Sequence, residues 1–356
     1  MKKKILISTG GSGGHVIPAK ILIDHLNNNF EVIISTDQRG EKYLKDVPNK
    51  KIKIYTPKLS NLYLLPINLI KVSFLTFKSF FALKKNQIDI LISTGGYMSL
   101  PLCLAAKILS IKIFLFEPNM VLGRANFFFL KFCEKIFCYN NSIKNFPSKF
   151  LNKIVLIKPL VRFIFYEKLN NYIKKKDKFN FLVIGGSQGA NIFDFEIKES
   201  FNEISKRFPI KVSHQTSEQN VEKLKNFYFK HNIDCYVFSY EANFLNIINK
   251  TDFCITRGGA STLAELSLMG IPFLVVPLPT AKDNHQFENA LHYKNNNSCW
   301  ILDQKNFNKN ELSQFFFNLL TNNNEYLKKK ENLKKLNYQN SWNNVNQKIL
   351  DTINAN

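Results

Sequence analysis

Acidic side chains are scarce: 27 Asp and Glu stand against 49 Lys and Arg in 356 residues, a formal charge of +22. That imbalance points to an anionic partner, whether nucleic acid, a phosphorylated substrate or an acidic membrane surface. Asparagine tracts at 295–297 and 322–324 show a compositional bias that accounts for part of it. Metal and disulfide frameworks are missing too. The six cysteines (Cys103, Cys133, Cys138, Cys235, Cys254, Cys299) show no CxxC spacing and read as reduced, mostly buried thiols. Long apolar runs are lacking. The basic start, residues 1–4, is followed by only Ile5, Leu6 and Ile7, too few for the ~7–15 residues of a signal peptide's apolar region. No stretch of ~18 apolar residues is free of charge, so no membrane span is expected and the chain is expected to stay on the cytoplasmic side. RRM, KH and zinc signatures are absent, which argues against a nucleic-acid module.

What is present is alternation. Short β-branched runs at 5–8, 31–35, 88–93 and 111–116, then at 179–184, 210–214, 252–256 and 272–276, read as buried strands separated by helical patterns. Such alternation predicts parallel α/β sheets. Gly10-Gly11 and Gly95-Gly96 follow strands in the first half, and Gly185-Gly186 and Gly258-Gly259 follow strands in the second. The repeated order predicts two similar doubly wound domains facing each other across a cleft. The expected division is 1–160 and 161–340, with a last helix at about 341–356 that packs back on the first domain.

A glycine turn between strand and helix lets the backbone approach an anion, and the helix N-terminus supplies free N–H groups. The first such loop is Gly10-Gly11-Ser12-Gly13-Gly14-His15. It lacks the Lys-Ser/Thr of a P-loop and fails the GxGxxG register, so a nucleoside triphosphatase is not expected. His15, at the helix start, is either a packing residue or a neutral imidazole able to take a proton from an attacking hydroxyl. In 257–265, a Gly-Gly turn opens a helix whose N–H groups suit a diphosphate, and Glu265 suits the two O–H donors of a ribose diol. Asp283, Gln286 and Asn289 are spaced to share a helical face and to meet sugar hydroxyls. No DxD-like pair ends a strand where Mg²⁺ would bridge a diphosphate.

Residues 10–19, Gly95-Gly96-Tyr97-Met98-Ser99, Gly185-Gly186-Ser187-Gln188-Gly189-Ala190 and 257–265 stand in the order seen in the MurG family, the peptidoglycan glycosyltransferases of family 28, which the chain resembles over most of its length. The resemblance implies an α/β GT-B fold of two Rossmann-like domains. It also implies inverting transfer of N-acetylglucosamine from UDP-GlcNAc to the C4 hydroxyl of lipid I, with no metal and no cofactor. By resemblance Ser12, Gly13, Gly14, Asn119, Arg162, Ser187, Ala260, Ser261, Thr262, Leu263, Ala264, Glu265 and Gln286 contact the donor. Glu241 falls at the uracil-contacting position, which the family fills with an apolar residue. Gly95, Gly96 and Tyr97 hold the acceptor's diphosphate. His15 is the candidate base, and Arg162 helps the helix start at 260–262 to meet the departing charge.

A lipid-linked acceptor calls for contact with an anionic leaflet. Residues 50–85 carry eight lysines and no acid, interleaved with Leu62, Leu64, Leu65, Ile67, Leu69, Ile70, Phe74, Phe77, Phe80 and Phe81. This pattern fits either a surface seated among headgroups or a core helix with solvated lysines. The expected place is the cytoplasmic face of the inner membrane, held peripherally. The rival reading is another GT-B enzyme with a different UDP-sugar or lipid acceptor.

Overall fold

The computed structural model describes residues 2–57, 63, 65–169, 177–185, 191–241 and 243–356. Two compact units emerge: Met1–Val161 together with Asn340–Asn356, and Arg162–Gln339.

The first unit alternates strand and helix. It runs β1 (Lys4–Ser8), α1 (Gly13–Leu26), β2 (Glu31–Thr36), α2 (Gln38–Glu41), β3 (Lys51–Lys53) and α3 (Leu65–Lys85). Then come β4 (Ile90–Ser93), α4 (Leu100–Ile108), β5 (Lys112–Glu117), α5 (Arg124–Phe129), β6 (Lys135–Cys138) and β7 (Ile154–Leu156). The seven strands are parallel in the order β3-β2-β1-β4-β5-β6-β7. The order reverses between β1 and β4, and ligands of such sheets bind outside the carboxyl ends of the strands at that point. Both faces of the inner strands are covered. Ile5 and Ile7 join one core with α1, and Leu6 joins the other with α3, α4 and α5. This is why these strands are nearly continuous apolar runs.

The second unit holds α6 (Phe163–Lys168), β8 (Phe179–Ile184), α7 (Asn191–Ser205), β9 (Ile210–Gln215), α8 (Val221–Lys230) and β10 (Asp234–Phe238). It continues with α9 (Phe244–Ile248), β11 (Phe253–Thr256), α10 (Ala260–Leu268), β12 (Phe273–Val275) and α11 (His285–Asn295). It ends with β13 (Trp300–Ile301), α12 (Lys309–Thr321) and α13 (Asn323–Leu336). Its parallel sheet is ordered β10-β9-β8-β11-β12-β13. Aromatic rings fill its core: Phe181 lies 4.8 Å from Phe201 and 5.2 Å from Phe316, ring centre to ring centre. Five of the six cysteines are buried and Cys235 is half-buried, all as free thiols. Burial pushes Cys103 and Cys299 up to about 12, which leaves them as packing groups rather than nucleophiles.

α3 has two apolar faces. Val72 and Leu83 are buried, and Leu75 and Phe80 pack partly into the core shared with α4. Ile67, Ile70, Phe74, Phe77 and Phe81 form a second stripe at helical spacing that is half exposed or more. By length and composition Pro66–Lys85 could cross a membrane, with a mean hydropathy of 1.2. It carries Lys71 and Lys78 within that stretch.

The last helix, α14 (Trp342–Ala355), returns to the first unit, where Val345, Ile349 and Ile353 enter the same core as α1. Ser341 caps its start by accepting from Asn344 N. His25 of α1 stacks on Trp342 with ring centres 3.5 Å apart, and its Nδ1 lies 3.2 Å from Asn346 Oδ1. Burial lowers the His25 pKa to about 4, against the partial opposition of Asn346. A depressed histidine contributes stability that is complete above its unfolded value near 6.5 and is lost as the pH falls toward 4. The loss from this group amounts to about 3 kcal/mol at most. Urea unfolding between pH 7 and 4 should therefore show a steeper acid loss in wild type than in His25→Phe. Equal slopes would remove His25 from the account.

Candidate functional site

At the switch point of the first sheet, β1 runs into the glycine loop and α1. The first intrahelical bonds are His15 N and Val16 N to Ser12 O, so the N–H groups of Gly13 and Gly14 have no partner within the helix. Ser12 is exposed and makes no capping bond with its side chain. His15 is half-buried, and its Nδ1 lies 2.8 Å from Thr94 O at the end of β4. A carbonyl only accepts, so Nδ1 carries a proton, and in the neutral tautomer of this geometry Nε2 holds the lone pair. A β-carbon on Gly96 would stand 3.7 Å from that Nε2. Gly95 and Gly96 both take positive φ, +85° and +81°, where side chains are strained. The structure thus brings His15, Gly95 and Gly96 together, and Tyr97 follows with its hydroxyl hydrogen-bonded to Arg39.

Behind these loops sits a layer of buried polar groups, in which Asn119 is a residue the resemblance marks and Asp37 is not. Asp37 Oδ1 accepts from Gly11 N at 2.9 Å and Gly40 N at 2.8 Å. Glu117 accepts from Asn119 N and Nδ2 with one oxygen, and from Gly123 N and Asn126 Nδ2 with the other. Glu117 is therefore a structural carboxylate that shapes the loop after β5, and the Asn119 amide is tied to it. No sequence signal marks these partners, because a lone Asp or Asn at a strand end does not reveal which amide it will meet.

In the second unit the turn after β11 admits glycine alone. A β-carbon on Gly258 would lie 2.1 Å from Gln286 O, and Asn289 Nδ2 donates to Gly258 O at 3.0 Å. α10 then starts with Leu263 N on Gly259 O, which leaves the amides of Ala260, Ser261 and Thr262 without intrahelical acceptors. Leu263 and Ala264 are buried packing residues. Glu265 is buried and accepts from Arg162 Nε at 2.8 Å. Burial raises the Glu265 pKa and Arg162 works against that rise. Gln286 accepts from Leu278 N through Oε1 at 2.9 Å.

Asp283 departs from the sequence reading. Asp283 and Asn284 both take left-handed φ, +52° and +56°, so α11 begins only at His285. Asp283 therefore does not share the helical face of Gln286 and Asn289. Glu241 is partly exposed after β10, where it accepts from Tyr236 OH at 2.6 Å and Asn243 N at 2.7 Å. Those bonds lower its pKa, the Tyr236 one most. It stands at the sheet edge, with β9 and β8 between β10 and β11. Ser187 lies outside the described residues. A further cation is Arg257, buried under the same turn: it donates to Val276 O at 2.8 Å and lies over the Phe193 ring at 4.7 Å. Burial lowers its pKa to about 10.

Comparison with known proteins fits this architecture. The family models that match are the Glycosyltransferase family 28 N-terminal domain, over residues 5–138, and the Glycosyltransferase family 28 C-terminal domain, over 180–344. The UDP-N-acetylglucosamine–N-acetylmuramyl-(pentapeptide) pyrophosphoryl-undecaprenol N-acetylglucosamine transferase of Pelagibacter ubique is 54% identical, with all of both chains covered. The Rickettsia bellii protein of the same description is 32% identical over 90% of this chain and 91% of its own. Among solved structures, MurG of Acinetobacter baumannii superposes with a TM-score of 0.78 at 23% identity, covering both chains fully. A UDP-GlcNAc 2-epimerase of Neisseria meningitidis, bound to UDP-GlcNAc, gives 0.68 at 15% over 99% of this chain and 100% of that one. These likenesses place the two units in the GT-B fold. With both family domains matched and a relative aligned from end to end, the chain belongs to glycosyltransferase family 28.

Proposed function

We propose that the chain transfers N-acetylglucosamine from UDP-GlcNAc to the C4 hydroxyl of the muramyl sugar of lipid I, giving lipid II and UDP. The full-length likeness to the Pelagibacter transferase carries this reading. The site has groups suited to each part of the reaction. His15 Nε2 takes the proton from the acceptor hydroxyl as its oxygen attacks the anomeric carbon from the face opposite the leaving group. The bond from that carbon to the β-phosphate oxygen breaks, and UDP departs with the electron pair. The free amides of Ala260, Ser261 and Thr262 meet the charge that develops on the diphosphate. Arg162 adds a cation beside them while holding Glu265, whose carboxylate accepts from the ribose diol. Gly13 and Gly14 offer amides to the reacting sugars, and Ser187, Asn119, Gln286 and the chain at Glu241 complete the donor contacts.

The exposed stripe of α3 seats the enzyme on the cytoplasmic face of the inner membrane. Lys71, Lys78, Lys84 and Lys85 flank it. Each lysine near an anionic leaflet is worth about 1 kcal/mol. The buried stripe of the same helix keeps the contact peripheral.

The direct test is transfer of labelled sugar to lipid I, with UDP-GlcNAc compared against UDP-glucose and UDP-galactose. Absence of transfer from UDP-GlcNAc defeats the reading. His15→Ala should lower kcat by roughly 10²–10⁴ with UDP-GlcNAc affinity unchanged, and full turnover would free His15 from the base role. Glu265→Gln should raise KM for UDP-GlcNAc roughly tenfold or more and leave KM for lipid I alone. Phe77→Ser with Phe81→Ser should weaken binding to phosphatidylglycerol vesicles without altering UDP-GlcNAc affinity. Vesicle binding equal to wild type would leave the stripe without that role.

A further inference from the structure

A cavity of about 490 Å³ opens in the first unit between α2, the chain after β3 and the middle of α3. Its lining is mixed: Arg39 and Lys71 bring two cations, and Phe74, Leu75 and Tyr55 bring apolar and aromatic surface, with Lys71, Phe74 and Leu75 on one face of α3. Arg39 is half exposed, and its guanidinium is set by two neighbours: Asp37, 3.6 Å away, and the Tyr97 hydroxyl. A terminal nitrogen of Arg39 stands 3.5 Å from the point where a β-carbon of Gly11 would be. This one side chain therefore spans the first glycine loop and the Gly95-Gly96-Tyr97 turn. Asp37 lines the cavity as well, but its Oδ1 is already held by two backbone amides, so its charge orients Arg39 rather than closing the site to anions. Lys71 is exposed, and Phe74 and Tyr55 are more than half exposed. From Phe74 the apolar surface continues along α3 through Ile70 and Phe77.

We propose that this cavity receives the diphosphate and the first isoprenyl units of the acceptor, with the phosphates on Arg39 and Lys71 and the hydrocarbon against Phe74, Leu75 and Tyr55. The inference rests on the reading that the acceptor is a polyprenyl diphosphate, and it adds the place where that group is gripped. The chemistry selects an amphiphile. A guanidinium fork matches phosphate oxygens two at a time. A free inorganic anion would not use the apolar side chains, and an uncharged prenyl alcohol would leave the two cations unmatched. The volume is that of a small-ligand site. Because the apolar lining merges with the stripe of α3, a chain rising from a membrane would reach the cavity without crossing water.

The test is a calorimetric titration of the full chain, without UDP-GlcNAc, using farnesyl diphosphate below its micelle concentration. Farnesol, inorganic diphosphate and dihexanoyl phosphatidic acid are the comparison probes. Farnesyl diphosphate should bind at least roughly tenfold tighter than each of these, and Arg39→Ala or Lys71→Ala should each weaken it by roughly tenfold. Lys71 is on the solvent side of α3, so Lys71→Ala carries the test should Arg39→Ala lose its fold along with its Tyr97 and Asp37 contacts. Phe74→Ala should weaken farnesyl diphosphate and leave inorganic diphosphate unaffected. Equal affinity for inorganic diphosphate would reduce the cavity to a generic anion patch and overturn the proposal. Equal affinity for phosphatidic acid would make it a headgroup contact and overturn it too, as would wild-type binding by both cation variants. In transfer assays both variants should raise KM for lipid I and leave KM for UDP-GlcNAc unchanged. A wild-type enzyme inactive on lipid I would defeat the functional reading instead, while the titration would still decide the cavity.

Discussion

Among the described residues two glycines, Gly258 in the turn after β11 and Gly40 in α2, have no room for a β-carbon against neighbouring backbone. At Gly258 the carbonyl of Gln286 fills the space, and at Gly40 a β-carbon would meet Thr36 Oγ1 at 2.3 Å and Gly10 Cα at 2.9 Å. Such close approach of backbone to backbone lets a strand end turn at once into a helix, with the helix's first amides aimed outward. The amides that point inward need partners, because an unpaired buried N–H costs about as much as a lost hydrogen bond. Asp37 and Glu117 supply those partners in the first unit, and Asn289 satisfies the Gly258 carbonyl in the second. The division is consistent: buried side chains bind the backbone from behind, and the first amides of α1 and α10, at Gly13, Gly14 and Ala260–Thr262, have no acceptor within their helices.

The same economy governs charge. Acids are few, and those near the loops are already engaged: Asp37 with two amides, Glu117 with four donors, Glu265 with Arg162. Around the loops the groups still open to a ligand are thus mainly donors and cations, an arrangement suited to diphosphates. His15, the base of the proposed reaction, is the exception. Its bond to Thr94 O fixes the tautomer and directs one lone pair toward the space beside Gly96.

Legibility in the sequence followed the physics of each element. Inner strands such as β1, β4 and β11 are buried on both faces, so they are written as unbroken Ile, Leu and Phe runs. The edge strands β3 and β10 are not: Lys51 and Lys53 flank one isoleucine, and β10 mixes Asp234 with Tyr236. Charge on an edge strand deters pairing with another sheet, and it also hides the strand from pattern reading. The glycine turns were legible because their geometry excludes other residues. The partners behind them were not, because side chains far apart in sequence meet only in the fold, as Arg162 meets Glu265. Asp283 misled for a local reason: two left-handed residues broke the helical face that its spacing implied.

α3 shows where pattern reading reaches its limit. Phe80 and Phe81 are adjacent and chemically identical, yet one packs into the core and the other is half exposed. A helix that is apolar nearly all round carries two stripes, and only the neighbour it packs on decides which is structural. Here the core shared with α4 takes Leu75, Phe80 and Leu83. Fully burying a side chain such as Phe or Ile is worth about 1.5–3 kcal/mol, so the five residues of the outer stripe represent a large unmet drive for an apolar surface. Water alone does not repay leaving them exposed. On the function proposed above, a bilayer repays it in part, while the inner stripe keeps the helix packed in the core it shares with α4. A transferase that takes a lipid-anchored acceptor and a soluble nucleotide sugar needs that balance: firm enough contact to meet the lipid, and loose enough contact to leave the rest of the protein in water with the donor.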